Sequence, residues 1–196
     1  MSEGKEKKTL MKEGEPSPKP SHFNLHKMTL MAILLALAIA IGYVESLIPS
    51  FLPLGGVKLG FANIIVVVVL YELGVWEAAS IDLGKVLVVA LLRGSFLQMG
   101  FFMSLSGAVS SLLIMVLLKL LVKPLTEVGV SAVGSMFHSF GQVAVGALFM
   151  GSGAVFYYYC YLMPIALLTG VIVGIAANRI MATKVIARQK RQYGFD

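Results

Sequence analysis

Residues able to do chemistry are few in this chain, and they gather at a handful of places between long apolar runs. The first is the stretch Pro49-Ser-Phe-Leu-Pro-Leu-Gly-Gly-Val-Lys-Leu-Gly-Phe-Ala-Asn63. Its prolines and glycines stop a helix and shape a turn. Lys58 and Asn63 are polar groups placed where a chain enters a bilayer, which is costly without a partner or a ligand. Two readings fit: the rim or lid of a ligand site, or a connector whose lysine meets lipid headgroups. A second polar loop is Arg93-Gly-Ser-Phe-Leu-Gln-Met-Gly100. A third group is Ser135, His138 and Gln142, spaced to share one helix face. A histidine and a glutamine at such a depth must hydrogen-bond something. Interhelical glue is one answer and a ligand in a bundle cavity is the other; three polar groups on one face favour the cavity. Asp82 and Lys85 fall on neighbouring faces of one helix. An ion pair that neutralises itself near the cytoplasmic end is the favoured reading, and a direct role in transport is the alternative.

Several chemistries are excluded. The only aspartates are Asp82 and Asp196, so a DDxxD-type site for magnesium diphosphate is absent and no catalytic residue is assigned. No Gly-x-x-x-x-Gly-Lys-Ser/Thr phosphate loop occurs. The single cysteine, Cys160, rules out an internal disulfide and a Cys-based metal cluster. His22 and His26 lie in or beside the tail, which leaves His138 without a ligand partner at metal spacing. Neither a metal nor a cofactor is expected.

The elements that must position these residues are membrane helices. Of 196 residues 58% are hydrophobic and 13% charged, and the mean hydropathy is +0.86. A soluble domain carries about 25% charged residues and cannot hide so much apolar surface. The predicted fold class is therefore all-α, a polytopic membrane bundle of about six transmembrane helices. Residues 1–27 read as a disordered basic tail, 28–181 as the six-helix membrane domain and 182–196 as a second basic tail. The predicted spans are 28–48, 61–73, 78–93, 101–121, 130–150 and 155–177. The valine-rich second span is short, yet it reads as a helix, because a lone strand cannot satisfy its backbone in lipid. Should spans two and three form one re-entrant pair, parity is unchanged.

In the first span Ala32, Ala36 and Ala40 recur every four residues and form a groove of small side chains for another helix. Glu45, near the outer end, is expected to pair with Lys58 or Arg93. Ser104, Gly107 and Ser111 read as a packing stripe, and Gly170 with Gly174 as a close-packing pair. Tyr157, Tyr158, Tyr159 and Tyr161 form an interfacial aromatic belt, part of which could stack on a planar ligand. The net charge of +6 does not point to nucleic acid: every lysine and arginine except Lys58, Lys85 and Arg93 lies in the tails, just before the second tail at Arg179, or at Lys119 and Lys123. That is a topology signal, with both termini cytoplasmic in a cell membrane.

Gly56-Val-Lys58-Leu-Gly-Phe-Ala-Asn63, Leu-Leu-Arg93-Gly-Ser, Ser-Leu-Ser-Gly107 followed by Met115, and Gly129-Val-Ser-Ala-Val-Gly-Ser-Met-Phe-His138-Ser-Phe-Gly-Gln142 together resemble the Gx transporter family. Its members are also labelled heptaprenyl diphosphate synthase component I. One departure is Ser139, where the family usually has Asn. The family is similar to the substrate-binding S-components of energy-coupling factor transporters. That resemblance implies an external ligand cavity holding Lys58, Asn63, Arg93, His138 and Gln142, and a docking face of Ala32, Ala36 and Ala40. It implies a small vitamin- or precursor-like ligand, and a transmembrane coupling subunit with ATPases as partner. The family label implies instead a non-catalytic membrane component of polyprenyl diphosphate synthesis, partnered by a soluble prenyl synthase subunit. A scaffold for quinone- or flavin-linked redox partners is a third reading.

Overall fold

The structure is a computed structural model that describes residues 25–47, 60–122 and 125–193. Seven α-helices are formed among these residues. They are α1 (Leu25–Leu47), α2 (Asn63–Glu72), α3 (Val75–Leu92), α4 (Met99–Leu121), α5 (Glu127–Met150), α6 (Phe156–Ala182) and α7 (Val185–Tyr193). A 3-10 turn, Gly153–Val155, leads into α6. No strand occurs among the described residues. Val66, Val67, Val68 and Val69 are helical and almost wholly buried in α2, so the environment overrides their β propensity.

The predicted all-helical bundle is observed; among the described residues fewer than six helices are by themselves long and apolar enough to cross a membrane. Four helical stretches are long and apolar enough to cross a membrane: α1, α4, α5 and Gly153–Gln189, which contains α6. The ten residues of α2 reach only about 15 Å, half the thickness of a bilayer core. The α3 helix carries Glu77, Asp82 and Lys85. Together α2 and α3 form a helical hairpin around Gly74, whose φ of 140° suits glycine. The first helix starts at Leu25, inside the stretch read as a tail, and α7 occupies most of the second tail.

Polar contacts define one end of the bundle. Lys27 of α1 bridges Glu77 of α3 at 2.6 Å. Lys119, near the end of α4, donates to the Leu70 carbonyl of α2 at 2.6 Å and lies 4.9 Å from the Tyr71 ring centroid. Asn178 of α6 donates to Glu127 of α5 at 3.4 Å. The opposite end holds the C-termini of α1, α3 and α5 and the start of α2.

Helix α5 packs most extensively, against α4 on one side and α6 on the other. Glycines permit this. A Cβ on Gly170 would meet Ala132 Cα at 2.7 Å, and one on Gly174 would meet Val128 Cα at 2.6 Å. The Gly170–Gly174 pair therefore serves close packing within the chain, as expected. Thr126 caps α5 by accepting from Gly129 N–H at 3.3 Å, and Gly151, with φ 62°, ends it in a left-handed turn. The main apolar core joins α1, α2, α6 and one or two residues from each of the other helices, among them Leu34, Val67, Ile81, Met115, Val130 and Val173.

Candidate functional site

Five polar side chains meet in a small cavity toward the end where α2 begins. It is lined by Gly42 and Glu45 of α1, Gly60, Ala62 and Asn63 at the start of α2, Lys85, Val86 and Val89 of α3, Ser104 of α4 and His138 of α5. Its volume is about 30 Å³, which admits about two water molecules.

Each polar group has a structural reason for its place. Glu45 is 7% exposed and accepts the backbone N–H groups of Gly60 and Ala62, the latter at 3.5 Å. A carboxylate at a helix start satisfies N–H groups that have no intrahelical partner and suits the positive end of the helix dipole. Gly60 has φ 87° and its carbonyl accepts from Asn63 N–H at 2.9 Å, which fixes the turn into α2. Lys85 donates to Asn63 Oδ1 at 2.6 Å, and its Nζ lies 2.7 Å from Asp82 Oδ1. The contact with Asp82 is ionic and lacks the geometry of a directed hydrogen bond. Ser104 Oγ donates to Gly100 O at 2.8 Å.

His138 Nε2 and Gln142 Nε2 are 2.8 Å apart, one turn from each other on α5. Both press on Gly107 of α4, where a Cβ would meet His138 O at 2.9 Å and Gln142 Cγ at 3.0 Å. Gln142 is fully buried and acts behind His138, setting its ring.

The structure sorts the predicted residues. Asn63 and His138 line the cavity, and Gln142 supports it. Lys58 lies outside the described residues. Arg93 does not join the site: it is exposed at the C-terminal end of α3 and is absent from the lining. Glu45 binds backbone N–H groups of Gly60 and Ala62, not Arg93, because the start of α2 lies closer. Ser135 turns toward Gly170 of α6, away from the cavity, since α5 has neighbours on both sides. The tyrosines at 157–161 are not among the lining residues either. Tyr157 and Tyr161 are about three-quarters exposed, at 75% and 74%, while Tyr159 packs on Phe140.

The Asp82–Lys85 ion pair is present, but it does not stand apart near one end: Lys85 reaches Asn63 and lines the site. Lys85, Glu45 and Ser104 were not recognised as site residues from sequence. A usable signal existed for Lys85. Asn63 and Lys85 stand eleven residues before and after Gly74, so a hairpin at that glycine places them side by side.

Ala32, Ala36 and Ala40 are exposed on α1, while Leu30, Leu34, Ala38 and Gly42 face the bundle. Ala40 also lines an apolar groove with Ile41, Val44 and Phe61 beside Glu45. Among the described residues no group of three or more His, Cys, Asp or Glu side chains could hold a metal ion.

Residues 34–180 match the family model of heptaprenyl diphosphate synthase component I. The chain belongs to this family. The matched region runs from within α1 to within α6 and contains every lining residue of the cavity. No curated protein and no solved structure matches the chain.

Proposed function

We propose that this protein is a multi-pass membrane subunit that binds a small solute in the cavity between Glu45, Asn63, Lys85, Ser104 and His138. One observation carries the reading: a lysine, a histidine, a glutamate and an asparagine converge on one space inside an otherwise apolar bundle. Buried charges and amides are expensive in such surroundings, and their default explanation is a ligand or ion pathway. Lys85 is the cation that meets an anionic or carbonyl-bearing ligand. Asn63 and His138 orient it, and Gln142 holds the histidine ring. Lys58, adjacent in sequence to this site, adds a second cation.

The present volume fits water and not a vitamin-sized molecule, so the ligand enters only when the walls separate. Both termini face the cytoplasm of a cell membrane in this reading, and the cavity opens outward. The exposed face of Ala32, Ala36 and Ala40 docks a transmembrane coupling subunit, whose ATPases supply the energy this chain lacks a phosphate loop to obtain.

The test is native mass spectrometry of the gently solubilised protein. A bound small molecule that is lost in His138→Ala and retained in Tyr157→Ala supports the reading. A chain that brings along only lipid, whatever is done to His138, overturns it.

A second reading follows from the family description: a non-catalytic membrane component of heptaprenyl diphosphate synthesis, paired with a soluble synthase subunit. Copurification of an acid-rich soluble subunit whose product formation rises in the presence of this chain would favour it. The scaffold role for redox partners has no observation in its favour.

A further inference from the structure

Among the described residues the charged side chains that are exposed have one sign. Among the described residues none of the acids is exposed: Glu45 and Asp82 are buried, and Glu72, Glu77 and Glu127 are half-buried. Two of the half-buried acids are engaged locally, Glu77 by Lys27 and Glu127 by Asn178. Arg179, Lys184, Arg188 and Arg191 are all exposed. They lie in the last turn of α6, in the turn that follows it and in α7, at the bundle end defined by the Lys27–Glu77 pair.

Helix α7, Val185-Ile-Ala-Arg-Gln-Lys-Arg-Gln-Tyr193, contains no acid. It does not simply prolong α6. Lys184 has φ 56°, a left-handed conformation that breaks the helix, and Ile186 then buries itself in the main core beside α1 and Met181. Arg188 and Arg191 of α7 are thus held close to the level where the long apolar helices end. Trp76, 84% exposed at the start of α3, lies at this same end, as an interfacial anchor would.

We infer that α7 is a headgroup-binding element, its arginines seated on the anionic phospholipids of the leaflet at this end of the bundle. The apolar anchor is intramolecular, so the electrostatic part is what the bilayer supplies. Basic side chains within a Debye length of an anionic surface are attracted without any shaped pocket. An acidic protein partner is the competing occupant. The bilayer is favoured because Ile186 ties the helix to the membrane-spanning bundle itself. The inference rests on the membrane placement proposed above and is independent of what the cavity binds.

The full chain is reconstituted into nanodiscs of phosphatidylcholine, with or without phosphatidylglycerol, and amide hydrogen exchange is followed for 185–193. Exchange in α7 should slow by about thirtyfold with the anionic lipid, the scale expected from two arginines near such a surface. High salt and Arg188→Gln/Arg191→Gln should abolish the effect, and Arg188→Lys/Arg191→Lys should keep it. Unchanged exchange in α4 and α5 shows that the variants fold. Equal exchange of α7 in the two kinds of disc would overturn the inference. So would protection that appears only when a soluble protein is added.

Discussion

Removing the ammonium of Lys85 tests whether this pair is scaffolding, a binding element, or both. Lys85 and Asp82 are 6% and 1% exposed, and their charged atoms are 2.7 Å apart. At that distance and an effective dielectric of about 20, the attraction is about 6 kcal/mol. Desolvating two ions costs several kcal/mol each, so the pair as a whole contributes little net stability. Breaking it is another matter. Lys85→Met leaves the Asp82 carboxylate buried without its counter-charge and leaves Asn63 Oδ1 without its donor. The expected loss is about 3–5 kcal/mol, or roughly 6–20 °C in Tm for a chain of this size. Asp82→Asn/Lys85→Met removes both charges and should recover most of that loss. The assay is thermal unfolding in mild detergent for the four members of the cycle, with bound small molecule read in parallel by native mass spectrometry. The double variant should be nearly as stable as the parent and devoid of ligand. Equal stability of Lys85→Met and the parent would refute the argument about buried charge. A ligand retained by the stable double variant would refute the role of Lys85 in binding.

Four further outcomes follow from distances in the structure. Gly107→Ala places a Cβ 2.9 Å from His138 O and 3.1 Å from His138 Cε1, so it should cost about 1–3 kcal/mol and weaken ligand retention by moving the ring, readable as a lower Tm with a reduced ligand-bound peak. Gly174→Ala meets the Val128 backbone; overpacking of about 1–3 kcal/mol outweighs a helix-propensity gain of up to about 1 kcal/mol, so Tm falls while ligand retention stays. Gly100→Ala meets nothing within 4 Å and should be neutral or stabilising by up to about 1 kcal/mol in the same melting assay. Lys119→Met removes the donor to the Leu70 carbonyl and should cost about 1.5–3 kcal/mol, with faster amide exchange at the end of α2.

The helices were legible because long apolar runs admit few structures, and the valine run of α2 was legible because an unpaired strand is untenable in such surroundings. The pairing of His138 with Gln142 was legible from their spacing on one face. Ser135 was not, since a helix central to a bundle uses opposite faces for different neighbours. The exposed place of Arg93, outside the lining of the cavity, was not legible, because closeness to a loop in sequence does not fix which side of a helix end a side chain leaves. The hold of Glu45 on the backbone N–H groups of Gly60 and Ala62 was not legible for another reason: no residue pattern reveals a backbone partner. Among the described residues α2 and α3 are the predicted spans that are not both long and apolar enough to be counted as crossings, α2 for its ten residues and α3 for its charges.

The cavity lies on a seam. One wall is Glu45, Asn63 and Lys85, on α1 to α3; the other is Ser104 and His138, on α4 and α5. The second wall belongs to a slab clamped by glycines at backbone distance, where little can slide. The first wall is stitched to itself by Glu45 on the start of α2 and by Lys85 on Asn63. Each wall therefore keeps its own polar pattern when the two part. If the proposed binding role holds, the chemistry offered to a ligand is fixed on each wall separately, while the room allowed to it is set by a single separation between them.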